Sequence, residues 1–403
     1  MDKAAAVGET PAQRDAFCLR ALVRMYPSTL VDEVIQRCNC KEERVRLLPA
    51  RFVLYFVLAL ALFTDSSYRE VMRKLVDGLH AVVDGIAHWH TPSKGSISEA
   101  RDRLGPEPLQ ELFRTVARPL GQQGDRSVWY RGRWRVMAID GLQLDVADST
   151  ANETAFGRPG HSRGEGSAYP QVRVVALAET GTHAFVALTI GGCHQGEPTL
   201  ARDLLPQLEP DMLCLADRNF FSYDLWRAVA ERGAERLWRV KKNLRLDSVR
   251  RLPDGSHLAY IYPSPAARKR QRDGVLVRVI EFAVDDPGRE VELPVYRLIT
   301  SITDHELAPA KDLAVLYSHR WEFETGNDEL KTHLRGARRV LRSQTPDGVR
   351  QEVYALYLAH YAIRALMYEA ADQAQIDPSR LSFVHTLHVV RRRVVAQALF
   401  SPR

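Results

Sequence analysis

Hydrophobic positions in the first third of the chain recur every three or four residues, so every long stretch from Ala16 to about Gly121 predicts helix. Pro49 can open one helix at its first turn. The run from Phe52 to Phe63 is apolar on all sides, bounded by Arg51 and Asp65, and about half as long as a membrane span; it predicts a helix buried in a core. Ser67 to Glu70 and Ser96 to Glu99 read as capping boxes. In TPSKGSISEARDRLG a Gly-containing turn precedes a short helix carrying Arg101 and Arg103. Two readings stay open there: the second half of a helix-turn-helix, or an ordinary αα-corner. Residues 1–15 are small and polar without periodicity and are expected to be a disordered tail.

The period changes at Trp129. Arg133 to Asp140, Leu142 to Val146, Val172 to Ala178 and Ala184 to Ile190 are short and rich in Val, Ile and aromatics, which predicts strands, three of them antiparallel. Among them AFGRPGHSRGEGSAYPQ, with Arg158, His161 and Arg163, reads as a loop that faces a ligand. Glu197-Pro198 opens a helix through Leu205, MLCLAD is a strand, Ser222 to Glu231 a helix, and ERLWRVKK another strand. From about Leu244 to Pro309 the helical signal gives way to HLAYIY, VLVRVIEF and LPVYRLITSI. Helix returns with KDLAVLYSHRWEFETGNDELKTHL, and Val349 to Ala371 and Leu381 to Ala398 predict two further long helices. The expected class is mixed α/β, divided as 1–15 tail, 16–125 helical region, 126–243 first part of the core, 244–309 β-rich insertion, and 310–403 second part of the core with C-terminal helices.

Composition narrows the picture modestly. At 403 residues and 45% hydrophobic content the chain can bury two or three domain cores. A net charge of +6 suits a protein that tracks phosphates without proving it. Local runs say more: Arg268, Lys269, Arg270 and Arg272; Arg335, Arg338, Arg339 and Arg342; and Arg391 to Arg393. Each fits either a nucleic-acid surface or a solvated face. Five scattered cysteines, Cys18, Cys38, Cys40, Cys193 and Cys214, argue against a disulfide framework, and Cys38-x-Cys40 has no second pair to complete a zinc site. With no signal pattern and no apolar run of spanning length, a cytoplasmic protein away from membranes is expected.

Candidate chemistry is densest in LYSHRWEFETGNDELKTHLRG, Leu316 to Gly336. Arg320, Glu324 and Lys331 follow Tyr317 at offsets of three, seven and fourteen, and on a helix advancing about 100° per residue all four share one face. A hydroxyl, a guanidinium, a carboxylate and an ammonium together suit phosphate plus metal.

The spacing Tyr-x2-Arg-x3-Glu-x6-Lys resembles the YREK signature of the insertion-sequence-four family of DDE transposases, cut-and-paste DNA recombinases with a ribonuclease-H-like core. The resemblance implies that core, with an all-helical DNA-binding region before it and the β-rich insertion between the second Asp and the Glu. It also requires two upstream aspartates. Asp140, closing RWRVMAIDG, and Asp217, closing MLCLADRNFFS, each end an apolar run where a strand should stop. Asp140 is preferred over Asp145 and Asp148 because IDG matches the family's first motif; Arg-Asn-Phe-Phe after Asp217 departs slightly from the second.

The implied catalytic and metal-binding residues are Asp140, Asp217 and Glu324, holding two Mg²⁺ (or Mn²⁺) ions about 3.5–4 Å apart. Asp140 would bridge the ions. Arg320 and Lys331 are expected to hold phosphates, Tyr317 to hydrogen-bond one, and Arg239 and Lys241 to face the DNA backbone. Trp238 is open between a base-stacking platform and core packing, the latter favoured by its position ahead of the insertion. Arg101 and Arg103 would read bases. The implied partners are double-stranded DNA, as terminal inverted repeats and target, and a second copy of the chain in a synaptic homodimer; the implied location is the nucleoid. Two other readings compete: a transposase-derived DNA-binding protein without activity, and a nuclease on the same fold. The intact acids speak against the first, and the helical region and insertion against the second.

Overall fold

The computed structural model describes residues 23–43, 47–80, 92–160, 169–283, 295–337 and 339–392. Outside them lie the 1–15 tail, Cys18, His161, Arg163, Arg338, Arg393 and the stretch to Ala398 expected to finish the last helix.

The N-terminal region is helical, with α1 Ser28–Arg37, α2 Ala50–Leu62, α3 Tyr68–His80, α4 Lys94–Leu104 and α5 Glu107–Val116. Every residue of α2 from Val53 to Leu62 is buried, as its all-round apolar character requires. The Ser67 hydroxyl accepts the Glu70 amide, so the first predicted cap forms. The second is displaced: Ser93 caps α4 by accepting the Ser96 amide at 3.1 Å, which leaves Ser96 inside the helix.

The sheet runs through β1 Trp129–Tyr130, β2 Trp134–Asp145, β3 Gln171–Glu179, β4 Ala184–Gly192, β5 Met212–Ala216, β6 Glu235–Arg239, β7 Ser248–Arg251, β8 His257–Ile261, β9 Val275–Ala283 and β10 Val295–Thr300. Their order is β4-β3-β2-β5-β6-β10-β9-β8-β7, with β1 beside β2. Pairing is antiparallel except for β2 with β5 and β5 with β6. This is a mixed sheet with a ribonuclease-H-like core, and the three antiparallel strands expected at its start are β2, β3 and β4. One expectation changes: Arg133 to Asp140 and Leu142 to Val146 form one strand, β2, because both halves pair with β3 and no turn separates them. The strands of the β-rich segment from 244 continue the same sheet, since β10 pairs with β6.

After β2 the chain makes one short helix, α6 Thr150–Phe156, and side-chain alternation divides the sheet into two faces. One buries Met137, Ile139, Cys214, Ala216 and Trp238 under α7 Glu197–Ala201, the 3₁₀ turn Arg202–Gln207 and α8 Tyr223–Glu231. The other buries Val136, Ala138, Leu213 and Leu215 under α9 Ala310–Ser318, α10 Arg320–Asp328, α11 Pro346–Ala374 and α12 Phe383–Arg392. The N-terminal helices share that second core, with α2 packed on α11.

Described members of two basic runs pair with backbone carbonyls at the end of α2 and in the link to α3: Arg391 donates to Leu62 at 3.0 Å, Arg339 to Thr64 at 2.9 Å and Arg342 to Ser66 at 2.6 Å. Arg335 is buried. The four described cysteines are free. No helix among the described residues is long and apolar enough to cross a membrane.

Trp238 is fully buried, edge-on to Trp226 at 5.2 Å, so it belongs to the core and presents no platform for a base. Trp238→Ala should lower unfolding stability by about 3–5 kcal/mol in urea titration, with Trp238→Phe losing clearly less. Equal losses for both would mean the site collapses around any smaller ring.

Candidate active site

The site begins with a register. Parallel pairing sets Ile139 of β2 opposite Ala216 of β5, so Asp140 and Asp217, the next residue on each strand, emerge side by side. Alternation then directs both toward the face covered by α9 and α10. Asp217 follows the last residue of its strand and turns the chain, its Oδ1 accepting the Asn219 amide at 2.6 Å. Asp140 instead sits within unbroken β2, opposite Ala176. Its Oδ1 accepts the Gly141 amide at 2.8 Å. Burial pushes the Asp140 carboxyl up to about 6; the Gly141 amide and Arg320 oppose that shift, and the charges of Glu197 and Asp217 add to it.

Arg320 joins helix to sheet. It is 6% exposed, donating from Nη1 to Asp140 Oδ2 at 2.8 Å and from Nη2 to Glu324 Oε1 at 2.7 Å. Its buried Nε has no partner. Each terminal nitrogen therefore donates to a carboxylate in this structure. Glu324 is drawn to Arg320, and among the described residues no three His, Cys, Asp or Glu side chains converge into a ready metal site. The donors are nonetheless all carboxylate oxygens, the ligand type that hard divalent cations select.

Tyr317 departs from expectation. It is 6% exposed and donates to the Ala216 carbonyl at 3.3 Å, on the residue before Asp217, while burial pushes its phenol well above the usual range. The helix assumed from the sequence to be straight is interrupted, with α9 ending at Ser318 and α10 starting at Arg320. In this structure the Tyr317 hydroxyl is spent on the end of β5.

A second irregularity sets Lys331. After Asp328 the backbone continues as a π-helix, Glu329–Leu334, whose i→i+5 bonds rotate the following residues off the α-helical phase. The turn is anchored by Glu329, buried among Arg364, His183 and His360. Arg364 donates to both Glu329 and His183, and His360 Nε2 lies 3.0 Å from Glu329. Burial alone would raise the Glu329 carboxyl, but His183, His360 and the charge of Arg364 outweigh it and hold it well below its usual range. Lys331 is exposed.

The outer residues divide. Arg239 is half-buried, its guanidinium 4.4 Å from the Tyr296 ring centre, and Lys241 is exposed just past β6, at the strand end that neighbours Asp217. Arg101 cannot read bases: it is 4% exposed and bonded to Gln351, Tyr68, Ser343 and the Gly348 carbonyl, tying α4 to the start of α11. Arg103 is exposed. Glu197, read from the sequence only as a helix opener, lies against Gly141, and its carboxyl is raised by burial with Asp217 adding to the shift. A carboxylate in the link between β4 and β5 was the available signal for it.

Residues 17–114 match the family described as insertion element 4 transposase N-terminal, and residues 131–362 match the transposase DDE domain. The transposase InsG of insertion sequence element IS4 from Escherichia coli K12 is 30% identical over 378 residues, 92% of this chain and 82% of the relative. A putative transposase of the same organism, InsZ, is 28% identical over 219 residues, 53% of this chain and 70% of its own. A solved piggyBac transposase synaptic complex with hairpin DNA aligns with 94% of this chain and 79% of its own at TM-score 0.48 and 12% identity.

Tyr317→Phe deletes one interior hydrogen bond and should lower stability by about 1 kcal/mol in urea titration, leaving the salt dependence of DNA binding unchanged. A log–log salt slope reduced by about one counterion would instead identify the hydroxyl as a phosphate contact.

Proposed function

Since the chain belongs to the insertion-element-4 family of DDE transposases, enzymes that cut and transpose DNA with divalent metal, we propose that Asp140, Asp217 and Glu324 are its metal-binding catalytic carboxylates. The observation that carries this reading is the β2–β5 register, which brings two aspartates from distant sequence to one strand edge, with Arg320 linking the first of them to Glu324. The substrate is the end of an insertion sequence, cut from its flanks and joined to a target duplex.

Three carboxylates flanking one edge suit two Mg²⁺ or Mn²⁺ ions, which when bound would activate a nucleophile and offset charge on the leaving 3′-oxygen. Asp140, beside Asp217 in the strand register and linked through Arg320 to Glu324, would help hold both ions. Arg320 exchanges its carboxylate partners for a phosphate beside the cut, using its planar fork; Lys331, Arg239 and Lys241 hold the backbone further along as point or stacked charges. Arg103, exposed on α4, is the remaining candidate for contact from the N-terminal region. Cutting both ends of one element with a one-site chain calls for two copies, so a homodimer is the expected synaptic assembly.

Asp217→Asn should abolish Mg²⁺-dependent cleavage of an end-bearing duplex while leaving end binding in Ca²⁺ within about twofold, since the amide keeps the shape and loses the ligand charge. Undiminished cutting would remove Asp217 from the set. In gel-shift titrations Lys331→Ala should weaken binding and reduce the log–log salt slope by about 0.9, one phosphate contact; an unchanged slope would take Lys331 off the DNA.

A further inference from the structure

In the run from Arg335 to Arg342, Arg339 and Arg342 bond carbonyls in the link after α2, and Arg335 does not. It is 4% exposed, just past the π-helical turn. Its Nε donates to the Lys331 carbonyl at 3.4 Å, its buried Nη1 has no partner, and among the described residues no carboxylate reaches its fork. Arg101, Arg278 and Arg364, similarly buried, are satisfied: the first bonds Tyr68 and Ser343, the second Asp254, the third Glu329. A cation taken out of water without a counter-charge is costly to keep.

The acids nearby are already spent. Glu352 accepts the Arg342 amide at 3.0 Å and the Ser343 hydroxyl. Asp145, whose charge Arg335 feels, forms no ion pair with it and accepts the Gln171 side-chain amide at 2.7 Å. What Arg335 does line is a cavity of about 120 Å³ between α2 and α11, together with Thr64, Arg339, Arg342 and Glu352. That volume admits a group the size of several waters. The backbone is shaped for it: Gly336 has φ +96°, and a Cβ there would lie 2.6 Å from Arg339 Nε, so glycine both turns the chain and leaves room for Arg339 beside the turn.

From the unpartnered Arg335 and the cavity it lines with Arg339 and Arg342, we infer that the end of the π-helical turn is an oxyanion site, which takes a phosphate group and so ties the end of α2 to α11. Planar guanidinium forks suit a tetrahedral oxyanion better than a spherical halide. The phosphate has two possible sources: free inorganic phosphate, or a phosphodiester of DNA near Lys331, four residues earlier. The inference does not depend on the carboxylate site. A structural alternative gives Arg335 only the Lys331 carbonyl and water; that role is indifferent to phosphate.

The test uses the full-length chain and inorganic phosphate, compared with chloride at equal ionic strength. The thermal midpoint of the parent should rise by roughly 2–4 °C in excess phosphate, and Arg335→Met should lose that rise. In gel shifts with an end-bearing duplex, a log–log salt slope lowered by about 0.9 in Arg335→Met identifies the group as a backbone phosphate, whereas an unchanged slope beside a lost phosphate response identifies free phosphate. Equal phosphate responses in parent and Arg335→Met, with an unchanged slope, overturn the inference, as does a parent indifferent to phosphate with an unchanged slope in the variant. Should Arg335→Met fail to fold, Arg335→Lys carries the same test, because it keeps the charge and loses the fork; an undiminished phosphate response and an unchanged slope in that variant overturn the site.

Discussion

Everything at the carboxylate edge depends on one parallel strand pairing. Asp140 and Asp217 are 77 residues apart in the chain, yet Ile139 and Ala216 are paired, and that register alone sets the two carboxylates next to each other on one face. A slip of one residue would send one of them to the face packed against α8, since strand side chains alternate. The register is held by burial on both sides: Ala138 and Leu215 lie in one core, Ile139 and Ala216 in the other, with no solvent-facing option for either set. Tyr317 adds a direct tie, donating to the carbonyl of Ala216 from α9, the helix just ahead of the one that carries Arg320.

Like charges held this close need compensation, and Arg320 supplies it in this state. Its fork spans Asp140 and Glu324, adding an ion pair between β2 and α10 to their shared core packing. The same contact explains why the acids line an edge without closing into a ligand set. In the proposed site a divalent cation would compete with the Arg320 guanidinium for the same oxygens, and a displaced fork would be free to take a phosphate. The Glu329 cluster beneath works the other way. Buried, multiply bonded and pinned to α11 through Arg364, it stabilises the π-helical turn and with it the direction in which Lys331 leaves the helix.

Several residues show where reading the chain one residue at a time reaches and where it stops. Asp217 was legible because an apolar run of strand length ends on it. Asp140 was legible as a residue and misjudged as a strand end, since a glycine after an aspartate looks like a turn and here is only a gap that admits Glu197. Arg101 looked like a base-reading arginine, because exposure of a charged residue on a short helix is the usual outcome; its burial comes from Gln351 and Ser343, some 250 and 242 positions away. The basic runs around Arg339 and Arg391 were open between a nucleic-acid surface and a solvated face; these two arginines instead bond backbone carbonyls at the end of α2 and in the link after it, another partnership across the chain.

Element types followed from the local pattern: helices where apolar residues recur every three or four positions, strands where they alternate, a wholly buried α2 where no polar face exists. The spacing of Tyr317, Arg320, Glu324 and Lys331 and the two strand-terminal aspartate candidates were likewise present in the primary structure, since they depend on residue identity and separation. Tertiary structure decided which of those residues face one another. It broke the helix after Ser318, turned Lys331 through a π-turn, buried Tyr317 and joined the β-rich segment to the core sheet. The physical reason is range: backbone periodicity is set within a few residues, whereas a salt bridge, a strand register or a burial depends on partners that only the folded chain brings within a few ångströms.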